Sequence, residues 1–231
     1  MAIGIDTVYQ KVLTLSNKEQ RGYITPQEFN LMADKAQLEI FDSYFYDFKT
    51  AYHKPKSDMT HADAMDILAE KIQPFKRLVT FTQAIGDDTI SLPSNLYLIN
   101  NLSRTEGDVA EMNEKEVLYT ENNPLTKATI NRSIYVRRRN GNIQLYPTPL
   151  EETTYALDYY KQPYAPEWAY VVVRGKALYN QTLSNNFDLH ASEEELLVTR
   201  ILMLAGVTVQ KPELVQIAAQ DGGGIKQSQN D

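Results

Sequence analysis

Apolar positions along this chain recur first with the period of a helix, then with the period of a strand, and finally with that of a helix again. Val8, Val12 and Leu15 form one stripe behind Asp6, which is placed to cap a short first helix before polar Asn17 to Gly22 breaks the pattern. Thr25-Pro26-Gln27-Glu28 reads as a capping box with proline at the first helical position, and it opens a helix predicted to run to about Tyr52. On that helix Leu38, Phe41, Phe45, Phe48 and Tyr52 recur at steps of three and four, a wide aromatic stripe that needs a covering partner. Lys54 to Asp58 is a polar link, and Met65, Leu68, Ala69 and Ile72 mark a third helix stopped before Pro74.

The period changes to two at Arg77. RLVTFTQAI, the turn Gly86-Asp87-Asp88 and TISLP predict a strand, a turn and a second strand ending at Pro93. Asn113 with Glu116 looks like a helix cap ahead of Val117 and Leu118, and TENNPLTKATINR reads as loop. The clearest signal is Ile134 to Lys161. Asn140-Gly141 joins two alternating strands, because both positions of a tight two-residue turn favour positive φ, and a third strand follows Pro147 and Pro149. KQPYAPEW is a proline-broken corner, WAYVVV a strand, and NFDLH a last extended piece. Ser192-Glu193-Glu194-Glu195 reads as another capping box, and ELLVTRILMLA is apolar on nearly every face until Gly206, so that helix is predicted to be central. A short helix is expected from Pro212, with a flexible tail after it.

These elements predict an α+β chain. Residues 1–75 and 190–221 form a helical bundle, 76–189 an inserted antiparallel β-domain, and 222–231 a flexible tail. Sequence-distant helices are expected to pack together, since lone helices with broad apolar faces are unstable in water.

Composition narrows the function classes. With 231 residues and 42% hydrophobic content the chain can bury a sizeable core. It contains no cysteine, which excludes disulfides and thiolate zinc sites. No apolar run approaches the roughly 20 residues of a membrane helix, and MAIGIDTVYQK lacks a signal pattern, so a soluble chain that is not exported is expected. A net charge of -7 argues against a dedicated nucleic-acid binder. The 15 tyrosines suit half-buried surfaces such as subunit contacts, although β-sheets favour tyrosine as well.

No catalytic, cofactor or metal constellation emerges. His53, His61 and His190 are far apart and read as solvated. Glu193, Glu194 and Glu195 occupy a first helical turn, where the helix dipole favours anions, and Gly222-Gly223-Gly224 lacks the context of a phosphate loop. A small hydrolase using Asp87, Asp88 or Glu151 is the weaker alternative. The one cluster with two readings is Arg137, Arg138 and Arg139 beside Asn140 and Gly141. Alternation puts Tyr135, Arg137 and Arg139 on one face and Arg138 on the other, which predicts an exposed hairpin tip. Such a tip is either a solvated edge or a candidate interface docking onto an acidic neighbour.

Four segments carry a resemblance: NPLT at 123–126, YVRRRNGNIQLYP at 135–147, LDYYKQP at 157–163 and FDLHASEEELLVTRIL at 187–202. Together they resemble the neck proteins of tailed bacteriophages, the head-to-tail connector or adaptor ring proteins of short-tailed phages, including crAss-like phages. The resemblance implies a helical bundle carrying a β-domain, assembled as a closed homo-oligomeric ring of commonly twelve copies. It also implies partners above and below, the portal protein and other tail or neck proteins, and genomic DNA passing through the channel without sequence-specific binding. It implies no enzymatic activity, no cofactor and no membrane, and a place in the virion after synthesis in the host cytoplasm. The same packing patterns would serve another phage tail structure, such as a tail tube, a terminator or a more distal ring.

Overall fold

A computed structural model describes residues 3–17, 24–53, 59–104, 107–138 and 141–208, with backbone alone at 17, 51–53, 59–64, 207 and 208. The polar link at 54–58, Arg139, Asn140, the short helix expected at Pro212 and the tail 222–231 lie outside the described residues. The chain is mixed α and β, with five α-helices and one large, mostly antiparallel sheet among the described residues. It divides into two compact units, residues 1–74 with 163–231, and residues 75–162.

The first unit contains α1 (Ile5–Asn17), α2 (Pro26–His53), α3 (Met59–Ile72) and α5 (Glu194–Thr208); α4 lies in the other unit. Helix α5 packs against α1 and α2, and α2 also packs against α3. The capping box of α2 is present as read. Glu28 Oε2 accepts from the Thr25 N–H at 2.9 Å and from the Thr25 hydroxyl at 2.8 Å, and the Glu28 N–H donates to Thr25 Oγ1 at 3.3 Å. These bonds hold the Glu28 carboxyl below the ordinary carboxylate range. Three other local readings are corrected. Asn186 Oδ1, not Asp6, accepts from the Ile5 N–H that opens α1 (3.1 Å), while Asp6 Oδ1 accepts from the Trp168 indole at 3.0 Å. Gly206 does not end α5, which runs on to Thr208 with Gly206 buried, because packing outweighs the roughly 1 kcal/mol that glycine costs within a helix.

The third correction concerns the face of α2. Its buried positions are Pro26, Phe29, Ala33, Ala36, Gln37, Ile40, Phe41 and Tyr44, a stripe turned away from the expected one. Among the described side chains only Phe41 belongs to both; Leu38 and Phe45 are half-buried and Phe48 is 39% exposed. Residues 163–189, expected with the strands, belong to this helical unit. Two amides on α2, one pair of turns apart, hold them there. Asn30 donates to the Trp168 carbonyl (3.3 Å) and accepts from the Trp168 N–H (2.9 Å), while Gln37 donates to the Tyr164 carbonyl (2.8 Å) and accepts from the Asp188 N–H (3.0 Å). Each side-chain amide thus satisfies an extended backbone as a neighbouring strand would.

The second unit holds β1 (Lys76–Gln83), β2 (Thr89–Ser91), β3 (Leu96–Arg104), β4 (Gly107–Glu111), α4 (Glu114–Asn122), β5 (Ile134–Arg137), β6 (Asn142–Tyr146) and β7 (Thr153–Lys161). The sheet order is β1-β7-β3-β4-β5-β6-β2, antiparallel except for the parallel β4–β5 pair. Consecutive strands β1 and β2 therefore stand at opposite ends of the order. The Gln83 amide nevertheless donates to the Thr89 carbonyl at 3.1 Å, which brings those ends together and curls the sheet around a single core. That core takes Ile90, Ile99, Leu102, Val109, Tyr135, Ile143, Leu145, Tyr155, Leu157 and Tyr159, one residue in two from most strands.

Candidate assembly interface

The hairpin β5–β6 is antiparallel, pairing Ile134 with Tyr146 and Arg137 with Ile143. Gly141 has φ +72°, the left-handed region that the Asn-Gly turn was expected to require. The hairpin is buried on both faces. Tyr135, Ile143 and Leu145 enter the sheet core, and Ile134 and Val136 form a second cluster with Val117 of α4 and Ala128. Helix α4 is the connection between β4 and β5, so their parallel pairing lays it across the outer face of the hairpin.

That covering helix changes the reading of the arginines. Arg137 makes a two-pronged contact with Glu111 of β4, Nε to Oε1 at 2.8 Å and Nη2 to Oε2 at 3.0 Å, and the Tyr135 hydroxyl donates to the same carboxylate at 3.1 Å. Parallel pairing of Glu111 with Tyr135 makes this contact possible. Arg138 points to the opposite face, as alternation predicted. There it pairs with Glu114 in the first turn of α4, donates from Nε to Gln144 Oε1 at 2.8 Å and from Nη2 to the Tyr146 hydroxyl at 3.1 Å. Gln144 in turn donates to Asp88 Oδ2 at 2.7 Å. Arg137, exposed as the alternation implied, and Arg138 both have acidic partners within their own chain. Arg139 and Asn140, the rest of the expected interface with Gly141, lie outside the described residues. Burial first, and then the Glu111 charge, push the Tyr135 hydroxyl up to about 12.

The other candidate residues are placed as follows. Asp87 and Asp88 lie in the turn between β1 and β2, where Asp87 Oδ1 accepts from the Thr89 N–H and Asp88 Oδ1 from its hydroxyl, both at 3.1 Å. The Gly86 N–H donates to the Pro149 carbonyl at 2.9 Å, so that turn adjoins the link carrying Glu151. Glu151 and Glu152 line an open cleft of about 320 Å³ with Arg104 and Tyr155. His190, only partly buried, caps the short turn Ala191–Glu193, its Nδ1 accepting from the Ser192 N–H at 3.3 Å. The side chains of His53 and His61 lie outside the described residues.

Of the three acids, Glu193 and Glu194 do more than answer a helix dipole. Glu193 is 1% exposed and meets Lys71 Nζ of α3 at 2.8 Å, and Glu194 meets Lys11 Nζ of α1 at 2.8 Å. Consecutive carboxylates thus tie the start of α5 to two different helices. The Tyr44 hydroxyl is buried, has no hydrogen-bond partner among the described residues, and is pushed up by burial and then by the Glu193 charge. Reading these acids as a local cap missed their partners, which lie more than a hundred residues upstream. No protein-family model matches the chain, and no curated protein matches it.

Proposed function

We propose that this chain is a structural virion protein of a tailed phage, a subunit of the oligomeric ring that connects the portal to the tail and lines the DNA passage. In this reading the helices from both ends of the chain form a bundle and residues 75–162 are the β-domain it carries. The observation that carries the reading is where the four resembling segments fall. Residues 135–138 and 141–147 belong to the β5–β6 hairpin and the residue that follows it, 157–163 end β7 and leave the sheet, and 187–202 run from a bridge with Ile3 into α5. Residues 123–126 form the turn after α4. They are framework pieces of both units rather than lining of one cleft, which suits a protein whose task is shape.

Exposed apolar side chains supply independent support. Leu31 and Tyr46 on α2 and Leu118 and Tyr119 on α4 lie in water in the single chain, a cost that assembly removes. Native mass spectrometry of the purified chain, alone and mixed with the portal ring of its phage, tests the proposal. A closed multiple of the chain mass, formed alone or on the portal, is expected. A chain that stays monomeric and leaves the portal mass unchanged would overturn it.

A further inference from the structure

Strand β1 stands at one end of the sheet. It pairs with β7 along all eight of its residues without a break in register, and its outer edge meets no other strand among the described residues. An edge of that length, with neither proline nor bulge, is a template for one more strand. The core is open along it. Val79 and Phe81 pack on the sheet core but are only half-buried, whereas Leu157 and Tyr155, which face them on β7, are buried. Gln83 is buried in the same row, while Leu78, Thr80 and Thr82 alternate to the exposed outer face. Opposite charges mark the two ends of the edge, Arg77 at its start and Asp87 with Asp88 in the turn beyond it.

The chain carries a segment that fits. Of the stretches outside the described residues only 209–231 is long enough to lie along β1, and it follows directly on α5. The residues expected as a short helix after Pro212 also alternate, with Val215, Ile217 and Ala219 in one row and Gln216, Ala218 and Gln220 in the other. Laid antiparallel to β1, Val215 falls opposite Gln83, Ile217 opposite Phe81 and Ala219 opposite Val79. The apolar row then closes the core, and the two glutamines stand outside with Thr82 and Leu78. The same register sets Asp221 opposite Arg77 and brings Lys211 to Asp87, because Lys211 and Asp221 are ten residues apart, as are Arg77 and Asp87. The parallel direction would put Lys211 beside Arg77 and Asp221 beside Asp87, like against like. Gly222-Gly223-Gly224 follows and is a poor continuation for a strand.

We propose that residues 215–221 add to the outer edge of β1 in a second copy of the chain as an antiparallel strand. The proposal rests on the ring reading and names a contact between neighbours in the ring. A tail on one copy and a strand edge on the next are different surfaces, so the contact is heterologous, the kind that generates rings when the rotation closes. Backbone hydrogen bonds along the edge hold the added strand, and alternate side chains fix its register.

The chain has no cysteine, so one copy can carry Thr80→Cys and another Ala218→Cys, which the register sets opposite each other on the outer face. Full-length chains of the two kinds are mixed, alone and with the portal ring, treated with a short bis-maleimide and digested; native mass is recorded before the reagent is added. A link from residue 80 to residue 218 necessarily joins two copies, and it is expected as the main product. Adding Ile217→Asp, in the apolar row, should abolish it, and Ser228→Cys in place of Ala218→Cys, beyond the glycines, should link far less. Products mainly from 80 to 80 or 218 to 218, an 80–218 link indifferent to Ile217→Asp, or equal linking from residue 228 would overturn the proposal. A closed oligomer without the 80–218 link would sink the tail contact alone and leave the ring standing. A chain that stays monomeric and forms no link would sink both.

Discussion

Lys71→Met should destabilise the helical unit far more than a surface change, because it strands the Glu193 carboxylate in a site only 1% exposed. At 2.8 Å the two charges attract by about 6 kcal/mol at an effective dielectric of about 20. Taking the ions out of water costs several kcal/mol each, so the intact pair is worth little net, but removing one partner leaves the other without compensation. Ser192 Oγ at 3.3 Å is a long contact and cannot replace the ammonium. The expected loss is about 3 to 5 kcal/mol, and replacing both residues by apolar ones, Lys71→Met with Glu193→Leu, should recover most of it or exceed the parent. Urea unfolding followed by the emission of Trp168, the single tryptophan and a member of the same unit, reads the midpoint shift. A Lys71→Met loss below about 0.5 kcal/mol, the usual surface value, would refute the buried pair. A double variant less stable than the single would refute the account of its cost.

Gln37→Leu should cost about 1 to 3 kcal/mol for each backbone group it leaves unpaired, the Tyr164 carbonyl and the Asp188 N–H, by the same unfolding assay. Leu157→Ala, at a fully buried position of the sheet core, should cost about 2 to 5 kcal/mol in unfolding followed by far-ultraviolet circular dichroism. Because the Tyr135 hydroxyl titrates near 12 in the folded chain against 10 in the ordinary phenol, the unfolded chain ionises first. Its contribution is complete below about pH 10 and should fall as pH rises toward about 12, visible as a late phenolate in an absorbance titration. Glu111→Gln removes the carboxylate beside Tyr135 and should move that late phenolate to lower pH, while costing under about 1 kcal/mol because the Arg137–Glu111 pair is exposed.

What was legible in the sequence was local. The Thr25–Glu28 box, the tight turn at Gly141 and the apolar run of α5 are each set within a few residues, and each is where it was expected. Strand β3 was hidden because irregularities between Leu96 and Leu98 and between Ile99 and Asn101 break its alternation. Helix α2 carries apolar side chains around most of its circumference, so a stripe through Phe45 and Phe48 looked as good as the buried one through Ala33 and Ala36. The placement of residues 163–189 depends on two amides, Asn30 and Gln37, which no periodicity marks as buried. The arginine partners Glu111 and Glu114 lie 26 and 24 residues upstream and come within reach only through the parallel β4–β5 pair and its crossover helix. The one available signal was a run of three acids at 111, 114 and 116 that contains a single cation, Lys115.

A cryo-electron reconstruction of the neck of the proposed phage tests the ring most directly. The account predicts a closed ring of this chain between portal and tail, centred on the DNA channel, with the helical bundle and the curled sheet recognisable in every copy. A complete neck into which no copy of this chain fits would contradict it.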